Sequence, residues 1–173
     1  PEGDHDKLPS IPNFIDGWQL GKPDMVVKMS EPFPVPDEGR DIYRSFVIPL
    51  DLPEGKWLKA IEFRPDARSV VHHCLFFYDT TGEARRLDKS DPRPGFRRMR
   101  QQGRGIGPLG GWAVGGQPEK LPEDLAYYLP KGADLVLSMH YHPSGKPERD
   151  QSSVGLYFTD QKPSTSFTGV QLP

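Results

Sequence analysis

The sequence predicts an all-β domain, an antiparallel β-sandwich of the jelly-roll or Greek-key type with about eight strands. The chain has 173 residues, of which 20 are proline and 18 are glycine. Such frequent interruptions disfavour long helices but suit short strands joined by turns. Short apolar runs rich in β-branched and aromatic residues recur between the turns. A chain of this length forms one domain with its own core, and a closed barrel is the alternative architecture.

Residues 1–39 are rich in proline, aspartate and glycine. We expect them to form an ordered arm that wraps around the domain built from residues 40–173. Within the arm, Met25–Met29 follows a turn and predicts a short strand. If the arm were disordered, it would leave four large apolar residues in water: Phe14, Ile15, Trp18 and Leu20.

Ile42–Leu50 and Lys56–Phe63 have the composition of strands, and the turn between them predicts a hairpin. Further strands are predicted at Val70–Tyr78, Leu125–Leu129, Asp134–His142, Val154–Phe158 and, weakly, Phe167–Leu172. Between Gly82 and Gly111 the pattern predicts a loop, in which a short helix through Phe96–Gln102 is the alternative. This loop is locally basic, with eight Lys or Arg against two acids between Arg85 and Arg104.

The overall charge and composition narrow the classes of partner. The formal net charge is −2, so no long-range field attracts nucleic acid, and we expect no nucleic-acid partner. No run approaches the roughly 18 apolar residues of a membrane-spanning helix, so no membrane span is predicted. Cys74 is the single cysteine, which excludes an internal disulfide. Small molecules and proteins are left as partners.

Four of the five histidines lie within two of the predicted strands, where Val, Ile or Phe would be usual. His140 and His142 are two residues apart, so in a strand they share a face and can approach one ion. The same face carries Val136 and Ser138 and is the less apolar of the two. We therefore predict that it is the solvent-facing or metal side of the strand.

His72 and His73 are adjacent, and neighbours in a regular strand point to opposite faces. Both reach one ion only if the strand ends, bulges or twists there. Without such a distortion, one is a core histidine and the other a surface residue. Neutral imidazole binds copper, zinc, iron and nickel, so the clustering predicts a metal site without identifying the metal.

The segments around these histidines also show a family resemblance. In chain order they are Val71–Phe77, Gly111–Ala113 with Leu121 and Pro122, and Leu135–Pro143 with Gly145 and Ser152–Phe158. Together they resemble the copper type II, ascorbate-dependent monooxygenases, the family of dopamine β-monooxygenase and peptidylglycine α-hydroxylating monooxygenase. The match runs in the right order from about Val70 to Phe158.

The resemblance implies a jelly-roll domain that holds one copper per chain, the copper that passes electrons. The family's three histidine ligands match His72, His73 and His140. His142 matches a position that is histidine in some members, and is either a fourth ligand or a residue just outside the coordination shell. The oxygen-binding copper of the family needs a further His-x-His and a Met, and nothing after His142 supplies them.

This chain therefore resembles half of a monooxygenase, and we do not expect it to hydroxylate a substrate alone. The resemblance implies a small reductant such as ascorbate, and a second copper or redox domain in the full-length protein. Animal members carry disulfides here, so the chain looks more like a bacterial relative, and we expect a periplasmic or extracellular location.

Two other hypotheses stay open. The three histidines could hold zinc or iron in a mononuclear enzyme, with an open position for water or oxygen. Alternatively, the chain is a metal-free binding module that docks a neighbour through the basic stretch Arg85–Arg104.

Overall fold

The computed structural model describes residues 17–97 and 104–165, which contain ten strands and one helix. In chain order they are β1 (Met25–Lys28), β2 (Phe33–Val35), β3 (Ile42–Pro49), β4 (Lys56–Arg64), β5 (Val71–Asp79), α1 (Glu83–Ser90), β6 (Ile106–Ala113), β7 (Tyr127–Leu129), β8 (Asp134–Tyr141), β9 (Glu148–Asp150) and β10 (Ser153–Thr159). The predicted all-β class is confirmed. Within the described ranges, no helix has the length and apolar character needed to cross a membrane.

Two four-stranded antiparallel sheets form the sandwich. Sheet I has the order β1-β10-β4-β7, sheet II has the order β3-β8-β5-β6, and β2 pairs with β9 in a separate ribbon. The chain crosses between the large sheets at nearly every connection, as jelly-roll and Greek-key folds do. The main core lies between the sheets and includes Leu58, Phe63, Val154 and Leu156 from sheet I and Phe46, Ile48, Phe76, Leu135, Leu137 and Met139 from sheet II.

The predicted hairpin between the segments of β3 and β4 is wrong. β3 pairs with β8, from Ile42 opposite Tyr141 to Pro49 opposite Asp134, whereas β4 lies in sheet I between β10 and β7. Leu50 and Leu52 in the connection are each only 4% exposed, because this segment turns over the core from one sheet to the other. Hairpin turns and sandwich corners use the same turn residues, so composition does not distinguish them.

The predicted loop between Gly82 and Gly111 is also wrong, since it contains α1 and β6. The residue that caps the start of the helix is Gly82, which has a φ of 72°, in the left-handed region that favours glycine. It covers part of the outer face of sheet II, in a small second core that contains Ala84, Phe96 and Val136. Charged residues dominate the helix and glycines interrupt β6, so neither shows a clear apolar period. The alternative helix through Phe96–Gln102 extends beyond the described residues.

The described part of the N-terminal arm adds strands to the sandwich. β1 pairs with β10, β2 pairs with β9, and Met29, Phe33 and Val35 are buried in the main core. Phe14, Ile15 and the predicted strand Phe167–Leu172 lie outside the described residues. The boundary between an arm of residues 1–39 and a domain of residues 40–173 stays a prediction.

Candidate metal centre

A β-bulge at His72 directs both adjacent histidines to the outer face of sheet II. The pairing of β5 with β8 shifts between Val71 and His73, which leaves His72 as the extra residue. Val71 and Cys74 are both buried in the main core, although residues three apart point to opposite faces of a regular strand. The extra residue resolves this conflict. The structure thus contains the distortion that the metal-site hypothesis requires.

His140 lies on the same outer face, on the neighbouring strand. Alternate residues of β8 point into the main core, namely Leu135, Leu137, Met139 and Tyr141. Their neighbours, including Ser138 and His140, therefore point outward. The less apolar face of this segment is therefore the one away from the main core. In the register of the sheet, His140 lies directly opposite His73.

The three imidazoles converge on one point. Nδ1 of His73 lies 3.2 Å from Nδ1 of His72 and 3.2 Å from Nδ1 of His140. The ligand atoms of the three residues all lie within 4.8 Å of one another. This spacing lets them share one ion, since metal–nitrogen distances for imidazole are roughly 2 Å. His72 is exposed and His140 is buried, so the group opens to solvent on the His72 side.

The surroundings of His73 disfavour its protonated form. Burial lowers the pKa of His73, and the neighbouring His140 and His72 lower this pKa further. His73 therefore presents a neutral ring with a free lone pair at neutral pH. A set of imidazole nitrogens with this character fits copper, zinc or iron.

Asp41, which sequence reasoning missed, binds the outer sides of two histidines. Its Oδ2 lies 2.7 Å from Nε2 of His140, and its Oδ1 lies 2.7 Å from Nδ1 of His142. The hydrogen bond with His142 contributes most, and the one with His140 contributes next, to holding the pKa of the Asp41 carboxyl below its usual range. Asp41 immediately precedes β3, and only the pairing of β3 with β8 brings it here. No local sequence signal identifies that pairing.

Tyr43 is a second residue that sequence reasoning missed. It lies opposite His140 in the pairing of β3 with β8, and the two rings stack at 4.3 Å between centroids with 8° between planes. Tyr43 is 60% exposed. The stack restricts rotation of the His140 ring.

His142 and His140 point in the same outward direction, as shown by the contact of both rings with Asp41. Its side chain is 69% exposed, and it is not part of the three-histidine group. In this arrangement His142 supports Asp41, and a role as a fourth ligand stays a prediction. Cys74 points to the opposite face of β5, where burial raises the pKa of its thiol and disfavours a metal-binding thiolate.

The basic stretch Arg85–Arg104 is partly neutralised within the fold. Arg85 makes two hydrogen bonds of 2.7 Å with the carboxylate of Asp134. Residues 98–103 of this stretch lie outside the described residues, and docking through it stays a prediction.

No protein-family model, curated protein or solved structure gives a match to this chain. The resemblance to copper monooxygenases therefore stays a prediction, and the geometry of the histidines supports a metal site without identifying the metal.

Proposed function

We propose that this chain is a copper-binding, electron-transfer domain of a copper-dependent monooxygenase-like protein. His72, His73 and His140 would bind one copper through Nδ1, and bound copper would cycle between its two oxidation states to relay one electron at a time. The main support is the convergence of the three Nδ1 atoms from two distant segments. β-Bulges are over-represented next to active sites, where they redirect side chains, and this bulge directs two adjacent imidazoles into the same group.

The position of the centre suits electron transfer. It lies on an outer face of the sandwich, with His72 exposed, so a small reductant such as ascorbate or a second redox domain can approach closely. The geometry supports a metal that prefers imidazole, and the choice of copper, the reductant and a periplasmic or extracellular location rest on the sequence resemblance. Hydroxylation would require an oxygen-binding copper on a further domain.

Copper titration of the metal-free protein, followed by electron paramagnetic resonance, tests the proposal. We expect one type II Cu(II) per chain with nitrogen hyperfine structure, and loss of this signal in His73→Ala and His140→Ala. Ser138→Ala, on the same face of β8, is the matched control and should bind copper normally. A wild-type protein that stays copper-free at micromolar metal would refute the proposal.

A mononuclear zinc or iron enzyme is the second candidate. The exposure of His72 favours it, because three protein ligands with one position open to water are typical of catalytic metal sites. The metal content of protein purified from its native host separates the two candidates. Stoichiometric zinc or iron would support the second, and stoichiometric copper would support the first.

A further inference from the structure

We infer that Asp41 is a positioning residue of the centre and that His142 holds Asp41 in place. The inference rests on the proposed function, because it assigns these residues a role toward the metal bound by the three histidines. Asp41 is not a candidate ligand itself. It binds Nε2 of His140, whereas the nitrogen of His140 that faces His73 is Nδ1.

The contact with Asp41 determines the tautomer of His140. A neutral imidazole carries one proton, on either Nδ1 or Nε2. An ionised carboxylate only accepts hydrogen bonds, so the 2.7 Å contact with Asp41 requires the proton to sit on Nε2. The lone pair is then on Nδ1, the atom that faces His73 at 3.2 Å. Asp41 thus selects the tautomer in which Nδ1 of His140, the nitrogen on the side of His73, can bind a metal.

Asp41 and Tyr43 together fix the orientation of the His140 ring. The bond to Asp41 fixes one edge of His140, and the stack with Tyr43 fixes its plane. A ligand held in its binding orientation before the metal arrives loses less freedom on binding. Hydrogen-bonded partners of metal-binding histidines act in this way and also raise the basicity of the ring.

His142 restrains the carboxylate of Asp41. Asp41 is 40% exposed, so its carboxylate would rotate and exchange with water if only one ring bound it. His142 binds the second oxygen at 2.7 Å and restrains this rotation. The chain His142–Asp41–His140 thereby connects an exposed imidazole to the metal-binding edge of a buried one.

The negative charge of Asp41 has a further consequence for electron transfer. A carboxylate bonded to a ligand imidazole stabilises the more positive oxidation state of the metal. Removing the charge should therefore raise the Cu(II)/Cu(I) reduction potential. A residue that only held the strand would leave the potential unchanged.

The experiment combines nitrogen NMR of the histidine rings in the metal-free protein with copper affinity and reduction potential. The variants are Asp41→Ala, which removes the acceptor, Asp41→Asn, which keeps an acceptor oxygen without charge, and His142→Ala. The matched control is Glu38→Gln, an exposed carboxylate three residues earlier. Folding of each variant is checked by its thermal unfolding.

In wild type and Glu38→Gln we expect the His140 proton on Nε2. In Asp41→Ala we expect a mixture of tautomers, a loss of copper affinity of about 10- to 100-fold and a higher potential. Asp41→Asn should keep the tautomer but raise the potential, and His142→Ala should weaken copper binding less than Asp41→Ala. All variants should keep three imidazole ligands.

Two results would overturn the inference. One is an Asp41→Ala protein with the wild-type tautomer and wild-type copper affinity. The other is a His142→Ala protein that loses one imidazole from the copper, because His142 would then be a ligand. If the wild-type protein binds no copper, the proposed function fails, while the tautomer in the metal-free protein still tests the action of Asp41 on His140.

Discussion

Two aspartates bind consecutive residues of β8 on opposite faces of sheet II, and their surroundings differ. Inside, the fully buried Asp150 accepts a hydrogen bond of 2.9 Å from the hydroxyl of Tyr141. It also accepts bonds from the hydroxyl of Ser152 and from the backbone N–H groups of Asp66 and Ala67. Outside, the partly exposed Asp41 binds the rings of His140 and His142.

The difference separates a structural cluster from a chemical one. Hydroxyl and backbone donors surround Asp150, so this buried group is well satisfied and ties the segment before β5 to the end of β9. The partners of Asp41 are imidazoles, and Nδ1 of His140, which does not bind Asp41, lies 3.2 Å from Nδ1 of His73. Nδ1 of His73 in turn lies 3.2 Å from Nδ1 of His72. A cluster whose imidazole nitrogens converge in this way offers a binding site for a metal cation.

The largest expected effect comes from breaking the inner cluster. Asp150→Ala leaves the buried Tyr141 hydroxyl and two backbone N–H groups without their acceptor. We expect the free energy of unfolding to fall by about 3 kcal/mol or more, measured by urea denaturation. Asp150→Asn, which keeps one acceptor oxygen, should lose less. A loss within about 0.5 kcal/mol would mean that Asp150 does not anchor this part of the fold.

The outer cluster should show the reverse pattern. His73→Ala removes the ligand at the centre of the group and should weaken copper binding by more than the roughly 10- to 100-fold that loss of a hydrogen-bonded partner of a ligand costs. The free energy of unfolding of the metal-free protein should change by less than about 1 kcal/mol, because His73 is only half-buried. Isothermal titration and urea denaturation of the same samples check both. Severe destabilisation with normal copper affinity would reverse the roles of the two clusters.

The pH dependence of stability sharpens the same contrast. Folding lowers the pKa of His73 from its ordinary value of 6.5, so the unfolded chain binds more protons between the two pKa values. Stability of the metal-free protein should therefore rise with pH through this window and be lost as pH falls below about 6.5. Thermal unfolding at a series of pH values should show a weaker dependence in His73→Ala. An equal dependence in both proteins would contradict the assignment to His73.

Tyr43 should give the smallest effect. Tyr43→Ala removes the ring stacked on His140, and an aromatic contact of this kind contributes about 0.5–1.5 kcal/mol. We expect copper affinity to fall by a few-fold with the number of imidazole ligands unchanged. Tyr43→Phe keeps the ring and should match wild type in the same titration. Equal losses in the two variants would show that the hydroxyl, rather than the stack, matters.

Local sequence patterns predicted the fold class and one face of the site. The alternation along residues 134–142 placed His140 and His142 outward together, and turn residues located most of the larger strands. The same patterns missed α1 and β6, because charged residues and glycines hide the apolar period there. They also predicted a hairpin between the segments of β3 and β4, where the chain instead passes from one sheet to the other through Leu50 and Leu52.

The rest of the site depends on long-range register. The bulge at His72 is defined by the pairing with the partner strand β8. The sequence therefore indicated that a metal site needs a distorted strand, but it did not predict that the distortion exists. Asp41 and Tyr43 reach His140 because β3 pairs with β8 over nearly a hundred intervening residues. Register of this kind follows from packing of the whole core, which no local pattern contains.

The most direct test of the central claim is the location of copper in a crystal of the copper-loaded protein, by anomalous scattering at the copper absorption edge. We predict one peak per chain, bonded to Nδ1 of His72, His73 and His140, with Asp41 still bound to Nε2 of His140. A peak that lacks any of these three nitrogens, or no peak at the group in copper-saturated crystals, would contradict the account.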